Sequence, residues 1–95
     1  MEGRETILLV EDDAVVCELI RAVLGKHGYA VLTPAVPQKA ERLFEAHGSR
    51  VDLLLSDVVM PEVRGMELAK RLSAKNPQLK VLLCPDMSMI PWFAR

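Results

Sequence analysis

The sequence lacks the features that are typical of membrane, secreted and disulfide-rich proteins. No apolar run in its 95 residues is long enough to cross a bilayer. The N-terminal stretch MEGRETILLVEDD becomes acidic too early to be a signal peptide. The two cysteines, Cys17 and Cys84, lie far apart and form no CxxC pair. These absences favour a reduced, cytoplasmic chain.

An excess of charge of one sign is also missing. The formal net charge is -1, and the aromatic residues are limited to one Trp, one Tyr and two Phe. A basic surface and stacking aromatic rings are what nucleic-acid binding requires, so we expect neither a nucleic acid nor an anionic membrane as partner. Hydrophobic residues make up 51% and charged residues 26%, which indicates one globular domain over residues 1–95 with a substantial core.

Apolar runs alternate with amphipathic segments along the chain. We predict four strands at 6–10, 29–33, 51–56 and 79–84, and three helices at 14–26, 38–47 and 64–74. The first helix is expected to end before Gly28. Its spacing predicts an apolar face that comprises Val15, Val16, Leu19, Ile20, Val23 and Leu24. The third helix is expected to use Met66, Leu68, Ala69 and Leu72 in the same way.

This βαβαβαβ order indicates an α/β fold with a doubly wound parallel sheet and right-handed crossovers. In the strand order 2-1-3-4, the first and third strands are neighbours, and ligands bind in the crevice at their carboxyl ends. Glu11, Asp12 and Asp13 follow the first strand, and Asp57 follows the third. The topology therefore predicts that acidic residues from two strands meet in one crevice.

Clustered carboxylates repel each other, and a hard divalent cation such as Mg²⁺ relieves that repulsion. The alternative is that an acidic residue at a strand end only caps the following helix, and Asp13 is well placed to do so before Ala14. Acids at the ends of two neighbouring strands favour a metal site over capping alone.

Two segments carry a resemblance to a known family. ILLVEDD (7–13) and LLLSDVVMPEVRG (53–65) are similar to the first strand with its acidic pair and to the phosphoacceptor loop of response regulator receiver domains. The resemblance covers residues 5–83 and implies a flavodoxin-like, CheY-like fold in a two-component phosphorelay. The chain resembles the receivers of hybrid sensor kinases, and its parent protein is expected to be either a hybrid kinase or a stand-alone regulator.

The resemblance also implies residue roles. Asp57 would be the catalytic phosphoacceptor, and Asp12, Asp57 and the backbone carbonyl of Val59 would bind Mg²⁺ directly, with Mn²⁺ as an alternative. Glu11 would bind the ion through water. A histidine kinase or a phosphotransfer domain would supply the phosphoryl group, and the chain would not be a turnover enzyme. Gly65 would permit a close approach near the third helix.

The chain departs from the family pattern after its fourth strand. Receivers place a hydroxyl residue at the end of that strand, where this chain has Pro85. The family lysine at the end of a fifth strand has no counterpart before Arg95, so we interpret the chain as truncated. Loss of one base at a junction encoding FMSGY would yield the observed LCPDM, which is the basis of our hypothesis that residues 84–95 are a frameshifted tail.

These departures leave rival interpretations. A degenerate pseudo-receiver would bind partners without being phosphorylated. A haloacid-dehalogenase-like phosphatase also uses an aspartyl nucleophile, but Glu11, Asp12 and Asp13 do not fit its motif. Because the fourth strand would be left as an open edge, we also predict a homodimer built on that strand, the third helix and the apolar tail.

Overall fold

Strands and helices alternate along the part of the chain that the structure describes. The computed structural model describes residues 5–47, 50–58 and 64–85. Its elements are β1 Thr6–Val10, α1 Ala14–Lys26, β2 Ala30–Leu32, a 3₁₀ turn Pro37–Lys39, α2 Ala40–His47, β3 Leu53–Asp57, α3 Gly65–Lys75 and β4 Lys80–Cys84. The predicted bounds of β1 and α1 are confirmed exactly. The segment predicted as a helix from residue 38 instead opens with the 3₁₀ turn.

The described strands form a parallel sheet in the order β2-β1-β3-β4, which confirms the predicted order. Ile7 of β1 lies opposite both Val31 of β2 and Leu53 of β3. Leu53 in turn lies opposite Lys80 of β4. β2 thus lies on one side of β1, whereas β3 and β4 lie on the other. The order of the strands reverses between β1 and β3, which is the switch point of the sheet.

The start of α1 is fixed by a side-chain cap. Asp13 Oδ1 accepts hydrogen bonds from the backbone N–H groups of Val15 at 2.9 Å and Val16 at 3.1 Å. These groups have no partner within the helix itself, so the carboxylate satisfies them. The predicted capping role of Asp13 is confirmed.

The end of α1 depends on a glycine. Gly28 has φ 93°, a conformation that favours glycine because it has no Cβ. Its N–H donates to the carbonyl of Gly25 at 3.0 Å, and the N–H of Tyr29 donates to the carbonyl of Leu24 at 3.2 Å. This pair of bonds is a Schellman motif, and it confirms the predicted stop at Gly28.

The sheet carries an apolar cluster on each face. One cluster is packed beneath α2 and α3 and comprises Leu8, Val10, Ala40, Phe44, Val51, Leu54, Leu68, Ala69, Leu72 and Leu79. The other lies beneath α1 and comprises Ile7, Leu9, Ile20 and Leu55. Two helices cover the first face and one covers the second, so the two faces are unequally filled in the described part of the chain.

Several helix residues that were predicted to be buried are exposed. Each helix contacts the sheet through a narrower row of side chains than its apolar spacing suggests. Val15 is 78% exposed and Leu19 is 50% exposed, whereas Ile20 is fully buried. On α3, Met66 is 56% exposed while Leu68 and Leu72 are buried. None of the described helices has the length and apolar character needed to cross a bilayer.

Candidate metal site

The site lies where β1 and β3 end side by side. Val10, the last residue of β1, lies opposite Ser56, the residue before Asp57. Glu11 therefore leaves β1 at the level of Asp57. The sequence prediction placed Asp57 after a strand that spans 51–56, and this is wrong in detail, since Asp57 is the last residue of β3 and lies opposite Cys84 of β4. Its backbone is thus held by the sheet rather than by a loop.

Three carboxylates meet at this edge of the sheet. One carboxylate oxygen from each of Glu11, Asp12 and Asp57 lies within 4.8 Å of the others. Glu11 and Asp57 are partly buried and Asp12 is exposed. The predicted convergence of acidic residues from the two strands is present in the structure.

The position of Glu11 in the cluster raises the pKa of its carboxyl group. Its pKa is raised from 4.5 to about 7, chiefly because partial burial disfavours the charged form and also because the carboxylates of Asp12 and Asp57 lie close by. A hydrogen bond from the Asp13 N–H to Glu11 Oε2, at 2.9 Å, opposes this shift. Three negative charges in one crevice are unfavourable, and either a proton on Glu11 or a cation between the carboxylates reduces that cost.

Asp13 does not join the cluster. Its side chain is used in capping α1, and its backbone N–H orients Glu11. The sequence interpretation, which placed Asp13 outside the acidic pair, agrees with this arrangement.

Gly65 lets the chain pass directly over Asp57. A Cβ at position 65 would lie 2.2 Å from the backbone oxygen of Asp57 and 3.2 Å from Ser56 Oγ. The first distance is far inside van der Waals contact, so no other residue fits without a shift of the backbone. The expected close approach near the third helix is therefore present, and its target is the peptide group of the predicted phosphoacceptor.

Backbone hydrogen bonds connect this region to the end of β4. The N–H of Val58 donates to the carbonyl of Cys84 at 3.2 Å, and the N–H of Gly65 donates to the carbonyl of Val58 at 3.0 Å. Pro85 follows directly and is exposed. The position next to the phosphoacceptor strand is thus occupied by a residue that has neither a hydroxyl group nor an N–H.

Some predicted site features lie outside the described residues. Val59, whose carbonyl was predicted as a metal ligand, is among them, as are Met60 and Pro61. The remaining predicted ligands, Glu11 and Asp12, lie with Asp57 in the described part of the chain. Hard carboxylate oxygens of this kind fit Mg²⁺ or Mn²⁺, which prefer oxygen donors.

Sequence reasoning did not assign Ser56 or Cys84 to the site. Ser56 is fully buried, and its hydroxyl donates to the Asp57 carbonyl at 2.9 Å. Its signal was a polar residue that directly follows three leucines within the strand. Cys84 lies at the site because the register of β4 places it opposite Asp57, and the sequence does not specify that register.

Comparison with known proteins identifies the family of this chain. The family model of the response regulator receiver domain matches residues 7–91. The chain belongs to the receiver domain family. This confirms the resemblance carried by the two sequence segments, and the acidic cluster lies within the matched range.

Relatives of this receiver domain include parts of larger proteins. The sensor kinase CckA of Brucella abortus is 41% identical over 83 residues, which are 86% of this chain and 9% of CckA. The probable transcriptional regulatory protein TcrX of Mycobacterium tuberculosis is 31% identical over 78 residues, 82% of this chain and 32% of TcrX. The receiver domain thus spans less than a third of the length of either relative.

Solved structures agree with the fold. The receiver domain of the hybrid histidine kinase CckA superposes with a TM-score of 0.72 at 28% identity, covering 93% of this chain and 94% of that chain. A response regulator receiver domain from Clostridium thermocellum gives a TM-score of 0.78 at 24% identity, covering 83% of this chain and 63% of that chain. The predicted CheY-like, doubly wound fold is confirmed.

Proposed function

We propose that this receiver domain accepts a phosphoryl group on Asp57 in an Mg²⁺-dependent step of a two-component phosphorelay. The observation that supports the proposal best is the convergence of Glu11, Asp12 and Asp57 within 4.8 Å at the sheet edge. A cluster of acids from two neighbouring strands provides a nucleophile and an ion site in one place.

Each residue has a distinct part in the proposed reaction. A carboxylate oxygen of Asp57 attacks phosphorus, and the bond from phosphorus to the imidazole nitrogen of the donor breaks. Glu11, through water, and Asp12 and Asp57, directly, would hold the ion together with the carbonyl of Val59. The bound ion supplies positive charge close to the transferring oxygens. Gly65 lets the chain pack closely over the peptide of Asp57, so positioning of the nucleophile is built into the backbone.

The proposed phosphoryl donor is a histidine kinase or a phosphotransfer domain, which would place the chain in the cytoplasm. One similar solved structure is that of the histidine kinase ThkA in complex with the response regulator protein TrrA. The match has a TM-score of 0.72 at 28% identity and covers 90% of this chain and 78% of that chain. It supports a kinase as the kind of partner.

The location of the phosphoryl group tests this proposal. After incubation with acetyl phosphate and Mg²⁺, borohydride reduction converts an aspartyl phosphate to homoserine, which peptide mass spectrometry locates. We expect homoserine at position 57. Homoserine at position 12, 13 or 52 would refute the assignment of Asp57.

A second candidate, a pseudo-receiver that binds its partner without phosphorylation, is favoured by Pro85. This residue follows the Cys84 that pairs with Asp57, and it offers no hydroxyl to a phosphoryl group. Equal affinity of a kinase partner for the unmodified chain, the phosphodonor-treated chain and Asp57→Asn would support it. A dependence of affinity on phosphorylation would exclude it.

We further propose a homodimer through β4 and α3. β4 is the edge strand of the described sheet, and its Val81 is 38% exposed. An apolar strand at the edge of a sheet pairs readily with a second copy. The predicted contribution of the tail beyond Pro85 lies outside the described residues. Light scattering at micromolar concentration should give a dimer for the chain and for Val15→Lys, and a monomer for Val81→Lys; a monomeric parent chain would refute the proposal.

A further inference from the structure

An open apolar groove of about 750 Å³ lies on the α1 face of the sheet. It is about as large as the cavities that hold small organic ligands. Among the described residues, its apolar lining comprises Ile7, Leu24, Tyr29, Leu53, Leu55, Leu82 and Cys84. Leu82 is 52% exposed although it stands on a strand of the sheet. Covering this lining with another apolar segment would therefore stabilise the folded chain, because it removes apolar surface from water.

The groove exists because α1 covers this face unevenly. The helix packs against β1 and β2 through Val16, Cys17 and Ile20. Beside it, Leu53 of β3 is partly exposed and Leu82 of β4 is half exposed, whereas Leu55 is buried in the cluster beneath α1. On the opposite face, the matching strands are covered by α3, with Leu72 fully buried. The exposed strip on the α1 face thus runs from Leu53 at the start of β3 to Leu82 of β4.

The segment that follows β4 has the composition and the starting point to cover this strip. Residues 86–95, DMSMIPWFAR, contribute Met87, Met89, Ile90, Trp92 and Phe93. They begin two residues after Cys84, which itself lines the groove. An extended chain rises about 3.3 Å per residue, so six residues span roughly 20 Å, more than the length of β4. A turn followed by a return along the groove is within reach.

The charges at the far rim fit the end of this segment. Glu5, Asp52 and Lys80 line the groove at the amino ends of the strands, opposite Cys84. The rim therefore carries two acidic groups and one basic group. A segment that returns from Cys84 toward this rim brings Arg95 to its acidic side, with Trp92 and Phe93 above the leucines.

We propose that residues 86–95 occupy this groove in their own chain and form its missing apolar cover. The occupancy uses the α1 face of the sheet and leaves the backbone edge of β4 unchanged, so it does not depend on the proposed dimer. It also does not depend on phosphorylation of Asp57. A consequence is that the end of β4, which bonds Val58 beside Asp57, is held by the segment that follows it.

Intrinsic fluorescence tests the proposal, because the chain has one tryptophan, Trp92, in the segment and one tyrosine, Tyr29, in the groove. In the 95-residue chain we expect blue-shifted Trp92 emission and weak quenching by acrylamide. Leu82→Lys should shift the emission to the red and restore quenching. Leu19→Lys is the matched control, since Leu19 is also half exposed, at 50%, but lies outside the groove lining. Red-shifted, freely quenched emission in the parent chain, or equal effects of the two variants, would overturn the proposal.

Energy transfer from Tyr29 to Trp92 shows whether the segment in the groove belongs to the same chain or to a second copy. Transfer within one chain should be independent of concentration and should be lost in Leu82→Lys. A mixture of Tyr29→Phe and Trp92→Phe chains carries the donor and the acceptor on different molecules. No transfer in that mixture supports occupancy by the chain's own segment, whereas transfer would show exchange between two copies and overturn it.

Discussion

The ends of β1 and β3 differ sharply from the end of β4. At β1 and β3, Glu11, Asp12 and Asp57 meet, and Gly65 lets the chain pass over the Asp57 peptide. At β4, the pairing continues to Cys84 and is followed by Pro85, so this side of the site contributes backbone bonds but no hydroxyl. The side of the site that would bind an ion and accept a phosphoryl group thus has its acidic side chains in place, whereas the side at β4 is joined to it by backbone pairing alone.

The largest effect is expected from closing the space above Asp57. In Gly65→Ala the new Cβ would overlap the Asp57 backbone oxygen, and the β3–α3 connection must move. We expect a loss of about 3 kcal/mol in the free energy of unfolding, at the upper end of overpacking costs.

Gly25→Ala is the matched control, because a Cβ there, in the last turn of α1, meets nothing within 4 Å. It should be neutral or stabilise the chain by about 0.5–1 kcal/mol. Urea denaturation measures both variants. Equal stabilities would mean that the tight approach at Gly65 does not constrain Asp57.

The next effect concerns the ion. Mg²⁺ at 100 times its dissociation constant should stabilise the folded chain by about 2.7 kcal/mol. Asp12→Ala should abolish the rise in Tm. Glu18→Ala removes an exposed acid on α1 and should keep it. A rise that persists in Asp12→Ala would place the ion away from the cluster.

A smaller effect is expected at the end of β4. Pro85→Ser adds a hydroxyl next to the strand that pairs with Asp57. A hydrogen bond to a charged group contributes about 1.5 kcal/mol, so we expect about a tenfold longer lifetime of the phosphorylated chain. Pro85→Ala changes the backbone in the same way without a hydroxyl and should show little gain. If both variants behave alike, the hydroxyl position has been misassigned.

The smallest effect is on the pH dependence of stability. The pKa of Glu11 rises from 4.5 in the unfolded chain to about 7 in the metal-free fold. The folded state therefore holds this proton more tightly, and its contribution is complete below pH 4.5 and is lost as pH rises to about 7. Because Glu11 is only partly buried, we expect a loss of about 1 kcal/mol or less.

Urea denaturation without metal, compared between the parent chain and Glu11→Gln, measures this pH effect. The variant should lack that decline. Mg²⁺ affinity should change in the opposite direction and increase toward pH 7, since the ion competes with the proton. A decline that is the same in Glu11→Gln would assign the titration to another group.

The sequence predicted the fold well where local signals were strong. The bounds of α1 followed from the capping residue Asp13 and from Gly28, and the strand order followed from the alternation of elements. Burial was less predictable. The period of α1 includes Val15 and Leu19 among its apolar positions, but the helix meets the sheet along a narrower line, and sequence period alone does not define that line.

The candidate site, like the fold, was only partly predictable from the sequence. Strand order alone predicted that Glu11, Asp12 and Asp57 would meet. The raised pKa of Glu11 depends on its burial, and the contact of Gly65 with the Asp57 carbonyl depends on the path of the backbone, so both required coordinates. The pairing of Asp57 with Cys84 depends on the register of β4, which nothing in a continuous apolar run specifies.

Intact-mass analysis after treatment with acetyl phosphate tests the central claim most directly. The 95-residue chain should gain one phosphoryl group in the presence of Mg²⁺ and none in the presence of a chelator, and Asp57→Asn should gain none in either condition. Absence of the phosphoryl group in the parent chain with Mg²⁺ present, or equal incorporation in Asp57→Asn, would contradict the proposal that Asp57 is the phosphoacceptor.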